Sequence, residues 1–196
     1  MNDIRVIGLT GPSGSGKTEV ADVFKRNGYV IIDADKLARE VIEYEEVRRK
    51  IRETFGDYVF ENESINRKKL AEVAFKNNEN EIRLNDIMHP SILKKAKETI
   101  RESIDDGKTD ILFDAPLLLE SGADEFCTVV VAVISDYEKR KERIIKRDNL
   151  SDLEAQERIN IQKPDNFYTD RSEYVIYNNG SINKLKEEAE KLLEKV

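Results

Sequence analysis

Cysteine, histidine and long apolar runs are scarce in this sequence, and each scarcity excludes a class of protein. The chain of 196 residues has one cysteine, Cys127, and one histidine, His89. An intramolecular disulfide is therefore excluded, and so is a zinc site built from cysteine and histidine. No apolar run reaches the roughly 20 residues that a membrane span needs, and the first predicted strand begins too early to follow a secretory signal. The sequence thus predicts a cytoplasmic protein with no membrane partner.

Excess positive charge is lacking as well. The formal net charge is −7 at pH 7, which argues against nucleic acid as a partner. Basic residues concentrate in residues 139–147, where Arg140, Arg143 and Arg147 are three and four positions apart and share one helix face. Such a row is either a solvated helix face or a clamp for phosphate groups, because guanidinium binds phosphate through paired hydrogen bonds.

The most informative stretch is a glycine-rich loop near the N-terminus. After the apolar run Val6 to Leu9, the sequence fits the pattern Gly-x-x-x-x-Gly-Lys-Thr of a P-loop. Glycines let backbone N–H groups point inward at an anion, and the following helix adds its N-terminal dipole. A chance match in a Gly/Ser-rich loop is the alternative, but the flanking apolar strand and amphipathic helix favour the cradle. The residues predicted to bind a nucleoside triphosphate are Gly11, Ser13, Gly14, Ser15, Gly16, Lys17, Thr18 and Glu19.

Acidic residues follow two further apolar strands. Asp33 and Asp35 come after the second predicted strand, and Asp114 follows the third. Ligands bind at the carboxyl ends of parallel strands, where carboxylates can hold Mg²⁺ or accept the proton of an attacking hydroxyl. If the second strand continues, Asp33 and Asp35 face the same way, but one of them could instead cap the next helix. Thr18 and Asp114 are the predicted Mg²⁺ ligands, and Glu120 is either a surface acid or a site residue.

A long helical stretch, residues 36–108, separates the second and third predicted strands. Its last and longest helix is predicted to begin at Pro90, since proline suits the first helical position and an apolar stripe follows. His89 would then be the N-cap, with a capping or ligand-contact role favoured over a catalytic one. An insertion of this length commonly holds a substrate, so residues 36–108 are predicted to bind the acceptor.

Two more strands, residues 128–134 and 173–177, complete the pattern, and the thiol of Cys127 beside the first of them is predicted to be packed. Strands that alternate with helices predict a parallel sheet with right-handed crossovers. We therefore predict a single domain with a three-layer α/β P-loop fold and a five-stranded parallel sheet, like that of nucleoside monophosphate kinases. The predicted core is residues 1–35, 109–147 and 171–196, with a lid at residues 148–170.

Missing motifs disfavour two other classes of P-loop protein. A regulatory GTPase needs an Asp-x-x-Gly magnesium loop and an Asn-Lys-x-Asp guanine-reading motif, and the sequence has neither. A motor or helicase would usually be larger and carry a basic track for nucleic acid. A small kinase fits best, with ATP as the donor and Mg²⁺ as the cofactor.

Six segments resemble, in the same order, those of the dephospho-CoA kinase family. They are residues 8–18, 32–41, 89–90, 113–120, 143–151 and 175–180. The P-loop is shared with many kinases, whereas Asp-Ala-Asp at 33–35 and Asp-Ala-Pro-Leu-Leu-Leu-Glu at 114–120 are more specific. The chain departs from the family pattern at Pro12-Ser13 and at Leu119, and neither change removes a catalytic group. The resemblance implies phosphorylation of the ribose 3′-hydroxyl of dephospho-CoA by ATP, giving CoA and ADP.

The resemblance also implies roles for single residues. Asp35 would orient or deprotonate the ribose hydroxyl, with Asp33 as the alternative. Arg143 and Arg147 would close over the transferring phosphoryl group, and the segment from Asn178 to Gly180 would lie near the adenine. The residues predicted to contact the acceptor are Asp35, Arg39, His89, Asp114, Pro116 and Leu117.

Two other functions are compatible with the same sequence. One is another small-molecule kinase, acting on a nucleoside or nucleotide, because its P-loop and lid would look much the same. The other is a nucleotide-dependent switch protein that hydrolyses little of what it binds. For the favoured function the partner is the small molecule dephospho-CoA, and the chain is predicted to be a monomer or a small homo-oligomer.

Overall fold

The computed structural model describes residues 4–196 and divides them into two compact units. The first, here called the core unit, consists of residues 4–33 and 102–196, and the second, the helical unit, is Ala34–Arg101. Residues 1–3, with which the predicted core segment 1–35 begins, lie outside the described residues. The helical unit falls within the stretch predicted to bind the acceptor, apart from its first two residues.

The core unit is built on a five-stranded parallel sheet, as the sequence predicts. Its strands are β1 (Arg5–Thr10), β2 (Val30–Asp33), β5 (Asp110–Asp114), β6 (Val129–Ile134) and β7 (Tyr174–Tyr177), and the order across the sheet is β2-β5-β1-β6-β7. The first strand of the chain is therefore the central one. In a sheet with this topology the carboxyl ends of the strands share one edge, and the loop after β1 stands at the middle of it.

Five helices of the core unit accompany this sheet. They are α1 (Lys17–Arg26), α6 (Tyr137–Asp148), α7 (Asp152–Asn160), α8 (Asp165–Thr169) and α9 (Ile182–Leu193). A capping box begins α7, with Ser151 and Glu154 bonded reciprocally. The helix therefore begins at Asp152, one residue after Ser151.

Apolar residues cover both faces of the sheet, which explains why its strands read as continuous hydrophobic runs. On one face, α1 and α9 pack on the strands, with Phe24 and Leu185 buried beside Leu9 and Val131. On the other face, Tyr168 of α8 is buried against Ala132 and Ile134. Helices on both faces of a parallel sheet make the three-layer α/β architecture. Phe24 is fully buried, so truncating it to alanine would cost about 3–5 kcal/mol.

The helical unit has its own hydrophobic core. It contains α2 (Ala34–Val41), α3 (Glu45–Phe55), α4 (Arg67–Ala74), most of α5 (Asn78–Asp105) and a small antiparallel pair, β3 (Phe60–Glu61) with β4 (Ser64–Ile65). Val41, Ile51, Val59 and Met88 are among the buried residues of this core. The β3–β4 pair turns through Asn62 and Glu63, which both have positive φ.

One local prediction is wrong here, and the condition attached to a second is not met. The helix expected to begin at Pro90 is instead the continuous α5, with Pro90 in its interior, so His89 is a mid-helix residue and not an N-cap. The N–H missing from Pro90 removes a single intrahelical hydrogen bond, and the helix tolerates this because its apolar residues continue on both sides. Strand β2 ends at Asp33 and α2 begins at Ala34, so the strand does not continue to Asp35 and the two aspartates do not share a strand face.

Within residues 4–196, every helix is too short or too polar to cross a lipid bilayer.

Candidate active site

The loop between β1 and α1 is held in a shape that only glycine permits at its two ends. Gly11 has φ +137°, and a Cβ there would stand 2.2 Å from the carbonyl oxygen of Val133 in β6. Gly16 has φ +105°, and its Cβ would stand 2.3 Å from Nδ2 of Asn178. The loop therefore lies directly against β6 and the end of β7, with no room for side chains on that side. These close contacts and the positive φ values explain why the P-loop pattern has glycine at positions 11 and 16.

The loop leads straight into α1, whose amide groups are at the N-terminal end of the helix; among them, Glu19 N–H donates to the carbonyl of Gly16 at 3.1 Å. Inside the loop, Ser15 N–H donates to the carbonyl of Pro12 at 3.2 Å, which closes a tight turn. Lys17 is partly exposed and Thr18 is exposed at the helix start. A helix N-terminus with a lysine and a hydroxyl beside it is suited to binding an anion. Glu19 forms a salt bridge with Lys186 at 3.2 Å, which ties α1 to α9.

The arginine row of α6 lies against this loop. Arg140 Nε donates to the carbonyl of Ser13 at 3.0 Å, Arg143 donates to the carbonyl of Gly14 at 2.9 Å, and Arg147 donates to Oγ of Ser13 at 3.3 Å. The predicted shared helix face is present, and it is not a purely solvated one. In this structure the guanidinium groups of Arg140 and Arg143 bind carbonyls of the loop, and that of Arg147 binds a hydroxyl.

Arg143 makes the most extensive of these contacts. Besides Gly14, its guanidinium donates to Oγ of Ser135 at 3.0 Å and to the carbonyl of Asn178 at 3.1 Å. Burial lowers the pKa of the Arg143 guanidinium, and Glu142 acts against that shift. Arg143 therefore joins the loop, the end of β6 and the end of β7 in one hydrogen-bonded group.

Asn178, predicted to lie near the adenine, belongs to the same group. Its residue is 5% exposed, and Nδ2 donates to the carbonyl of Ser15 at 2.7 Å. Its own carbonyl accepts from Ser135 Oγ at 2.6 Å. The side chain of Asn178 thus stabilises the loop through its hydrogen bond to Ser15, whereas Gly180, two residues later, is exposed.

Two carboxylate residues meet at the carboxyl edge of the sheet. Asp114 is the register partner of Leu9 on one side and of Asp33 on the other. Neighbouring strands are about 4.8 Å apart, so the two aspartates lie side by side. Carboxylate oxygens are ligands that Mg²⁺ accepts, and this cation keeps several waters and takes few carboxylates. Among the described residues there is no group of three or more His, Cys, Asp or Glu arranged to hold a metal.

The segment after β5 supports the cradle strand. The N–H of Ala115 donates to the carbonyl of Leu9 at 3.0 Å, and Oγ1 of Thr10 donates to the carbonyl of Pro116 at 3.3 Å. Leu117, predicted to contact the acceptor, is 41% exposed. Burial raises the pKa of Glu120, while Lys163 among others lowers it, so this residue is no ordinary surface acid.

The remaining predicted acceptor residues all belong to the helical unit. Asp35 is exposed in the first turn of α2, and Arg39 is exposed in its last turn with its carbonyl bonded to Arg67 at 3.1 Å. His89 is half-buried within α5, and burial lowers its pKa although Asp86 acts in the opposite direction. Their roles toward an acceptor stay predictions.

Sequence reasoning missed Gln162, Ser135 and the structural role of Arg140. Gln162 Oε1 accepts from Ser13 N–H at 3.1 Å and from Arg140 at 2.6 Å. Ser135 is fully buried between Arg143 and Asn178. Neither Gln162 nor Ser135 belongs to a short motif. The only signal in the sequence is position, since Ser135 directly follows β6 and Gln162 follows α7.

Comparison with known proteins is consistent with this geometry. The sequence model of the family described as dephospho-CoA kinase matches residues 5–184. The chain is 38% identical to a dephospho-CoA kinase of Fusobacterium nucleatum subsp. nucleatum, over 98% of this chain and 99% of that protein.

Solved structures agree. A protein of Thermus thermophilus superposes with a TM-score of 0.80 at 27% identity, covering 99% of this chain and 98% of that one. A dephospho-CoA kinase from Campylobacter jejuni gives a TM-score of 0.71 at 25% identity, covering 97% of this chain and 96% of that one. The range 5–184 that the family model matches spans the whole cradle, both sheet-edge aspartates and the arginine helix. The chain belongs to the dephospho-CoA kinase family.

Proposed function

We propose that this enzyme transfers the γ-phosphoryl group of ATP to the ribose 3′-hydroxyl of dephospho-CoA, giving CoA and ADP. The observation that carries the proposal is the family match over residues 5–184, which includes a cradle whose glycines leave no room for side chains. Phosphoryl transfer depends mainly on positioning and on neutralising charge. The chain offers groups for both tasks.

The donor half of the proposed site is the cradle itself. The loop from Gly11 to Gly16 and the first amides of α1 would bind the ATP phosphates, with Lys17 at the outer ones. Thr18 and Asp114 would hold Mg²⁺, which when bound supplies charge neutralisation at the β- and γ-phosphates. The segment from Asn178 to Gly180 would border the adenine, with Asn178 fixing the loop and exposed Gly180 next to the base.

The arginines of α6 would divide their work. Arg143 donates to acceptors on three segments and so maintains the cradle's shape. The side chain of Arg147 is 56% exposed and is paired with Asp148 at 2.8 Å, so it can reach the phosphoryl group more readily. Arg147→Met should lower kcat with little change in the urea midpoint, and a normal kcat would refute this assignment.

The acceptor would be bound by residues 36–108, the stretch that contains most of the helical unit. Asp35 would orient or deprotonate the ribose hydroxyl, Arg39 and His89 would contact the acceptor, and Pro116 and Leu117 would add apolar contact. Asp33 competes with Asp35 for the role of base, and its place beside Asp114 makes a metal-linked role the alternative for it. The residues 148–170 would serve as the lid.

The compartment and the oligomeric state are also part of the proposal. Burial raises the pKa of the one cysteine, Cys127, to about 12, and a chain without disulfides suits a reducing compartment. We propose that the enzyme works in the cytoplasm on small molecules, as a monomer or small homo-oligomer.

A coupled ADP-release assay tests the function. With ATP and Mg²⁺, dephospho-CoA should stimulate ADP release, whereas a panel of nucleosides and nucleotides should not. Lys17→Ala should lower turnover by roughly two orders of magnitude or more, and Lys25→Ala, an exposed lysine on the same helix, should leave it unchanged. Stimulation by a nucleoside instead, or full activity of Lys17→Ala, would overturn the proposal.

The same assay separates the two candidate bases. Asp35→Asn should remove most turnover while the protein remains folded. If Asp35→Asn stays near normal and Asp33→Asn does not, the base is Asp33.

A further inference from the structure

Ser13 is the residue of the cradle loop at which contacts from other segments converge. Its carbonyl accepts from Arg140 at 3.0 Å, its hydroxyl accepts from Arg147 at 3.3 Å, and its N–H donates to Gln162 at 3.1 Å. All three of its polar groups are therefore bonded to side chains from outside the loop. Because both peptide groups of Ser13 are fixed, the direction of the neighbouring loop amides is fixed as well.

Gln162 is the acceptor that closes this arrangement. Its Oε1 lies 3.1 Å from Ser13 N and 2.6 Å from a guanidinium nitrogen of Arg140. One oxygen thus receives two donors, one from the loop and one from the helix that braces the loop. Gln162 follows α7, in the segment just before α8.

Arg140 needs this acceptor because the residue is only 5% exposed. Burial lowers the pKa of its guanidinium, and Asp165 acts in the opposite direction. The carboxylate of Asp165 is 3.5 Å away and its side chain is half exposed, so it gives a weak ion pair. A buried cation requires good hydrogen-bond acceptors, and the nearer ones are the carbonyl of Ser13 and Oε1 of Gln162.

We propose that Gln162 is a positioning residue for the donor cradle: its side-chain oxygen orients Ser13 and Arg140 together and thereby sets the affinity of the loop for the phosphates of ATP. The inference rests on the proposed function only in taking the loop as the ATP site. Gln162 touches neither the reacting atoms nor the acceptor in this scheme, and it acts through Ser13.

The chemistry of the contact makes the proposal specific. Both contacts use the amide oxygen of Gln162. Glutamate keeps an acceptor oxygen at the same reach, and Arg140 beside it would neutralise the added charge. Methionine has nearly the same length and shape but no comparable acceptor. The oxygen should therefore decide the outcome, and the volume of the side chain should not.

The experiment is equilibrium binding of a non-hydrolysable ATP analogue with Mg²⁺ to the full chain, measured by isothermal titration calorimetry. Gln162→Met should weaken binding about tenfold, since tenfold corresponds to about 1.4 kcal/mol, the size of one net hydrogen bond. Gln162→Glu should stay within about threefold of the wild type. Gln156→Met is the matched control, because Gln156 is a glutamine of α7 that bonds to Asp152 of the same helix.

Steady-state kinetics add a second measurement. Gln162→Met should raise KM for ATP with little change in KM for dephospho-CoA, and its thermal midpoint should stay within a few degrees of the wild type. Wild-type affinity in Gln162→Met, equal weakening by the Met and Glu variants, or equal weakening by Gln156→Met would each overturn the proposal. Failure of the wild type to bind the analogue would overturn the donor site and this inference together. Normal analogue binding without transfer to dephospho-CoA would refute the proposed function alone.

Discussion

The close approach between Gly16 of the cradle and Asn178 yields a quantitative prediction. Gly16→Ala would force a non-glycine residue to φ +105° and put Cβ 2.3 Å from Nδ2 of Asn178. The backbone term is about 1–2 kcal/mol, the cost of left-handed conformation for an L-residue. Displacing Asn178 breaks its 2.7 Å hydrogen bond to the carbonyl of Ser15, which then keeps only the 3.5 Å contact from Arg143. Loss of the good donor to this buried acceptor costs about 1–3 kcal/mol. The sum is roughly 2–5 kcal/mol of unfolding free energy.

A double-mutant cycle isolates the steric part. Asn178→Ala alone should cost about 1–3 kcal/mol, because it removes the same 2.7 Å hydrogen bond to the Ser15 carbonyl. The double variant Gly16→Ala/Asn178→Ala loses that hydrogen bond only once, so it should be more stable than the sum of the single changes predicts, by about 1–3 kcal/mol. Gly28→Ala is the matched control: Gly28 has φ +89° and nothing within 4 Å of its Cβ position. It should show the backbone term alone, about 1–2 kcal/mol.

The assay is urea denaturation followed by circular dichroism, with the binding of an ATP analogue measured in parallel. Two results would refute the reasoning. One is additivity of the two changes within about 0.5 kcal/mol. The other is a Gly16→Ala variant no less stable than Gly28→Ala, since Asn178 would then yield without cost.

Three more probes address other parts of the core unit. Burial raises the pKa of Cys127 to about 12, so roughly one thiol in ten thousand is ionised at pH 8. A disulfide reagent should therefore react slowly with Cys127 until urea unfolds the chain, and fast reaction in native buffer would contradict this. Burial also raises the pKa of Glu120, so its stabilising contribution is present at low pH and is lost as the pH rises through the raised pKa. Glu120→Gln should therefore raise the urea midpoint at pH 7 more than at pH 4, and equal effects at both would count against it. Ser151→Ala should cost about 1 kcal/mol by removing the cap of α7, and an unchanged urea midpoint would show that the cap is dispensable.

The sheet and the cradle could be predicted from the sequence because their signals are local. Each strand is a continuous apolar run, and the loop pattern needs glycine at positions such as Gly11, where a carbonyl stands 2.2 Å from the Cβ site. The first and last residues of the helices and strands were harder to predict. Pro90 suits both a helix start and a tolerated interior position, and only the packing of the residues before it decides for the interior. The β3–β4 pair has two residues per strand and no glycine in its turn, so no sequence signal was strong enough to reveal it.

The site was predictable by residue and less so by contact. Spacing placed Arg140, Arg143 and Arg147 on one face, but whether that face binds phosphate or loop carbonyls depends on how α6 lies against the loop. Gln162 is more than one hundred residues from Ser13 in the chain. A contact over that separation leaves no local pattern in the sequence, so the contact between Gln162 and the cradle could be found only from the tertiary structure.

The central place of β1 has a consequence for the order of folding. Arg5 lies opposite Asp110, and Ile7 lies opposite Val129. The strand that precedes the cradle therefore pairs with strands that are roughly a hundred residues later in the sequence. Long-range pairing of this kind is slow, because the chain must close large loops before the contacts are gained. The hydrophobic cluster of the helical unit, by contrast, is drawn from residues 38–92 and can collapse earlier. On the ribosome and in refolding, nucleotide-binding ability should therefore be among the last properties that this chain acquires.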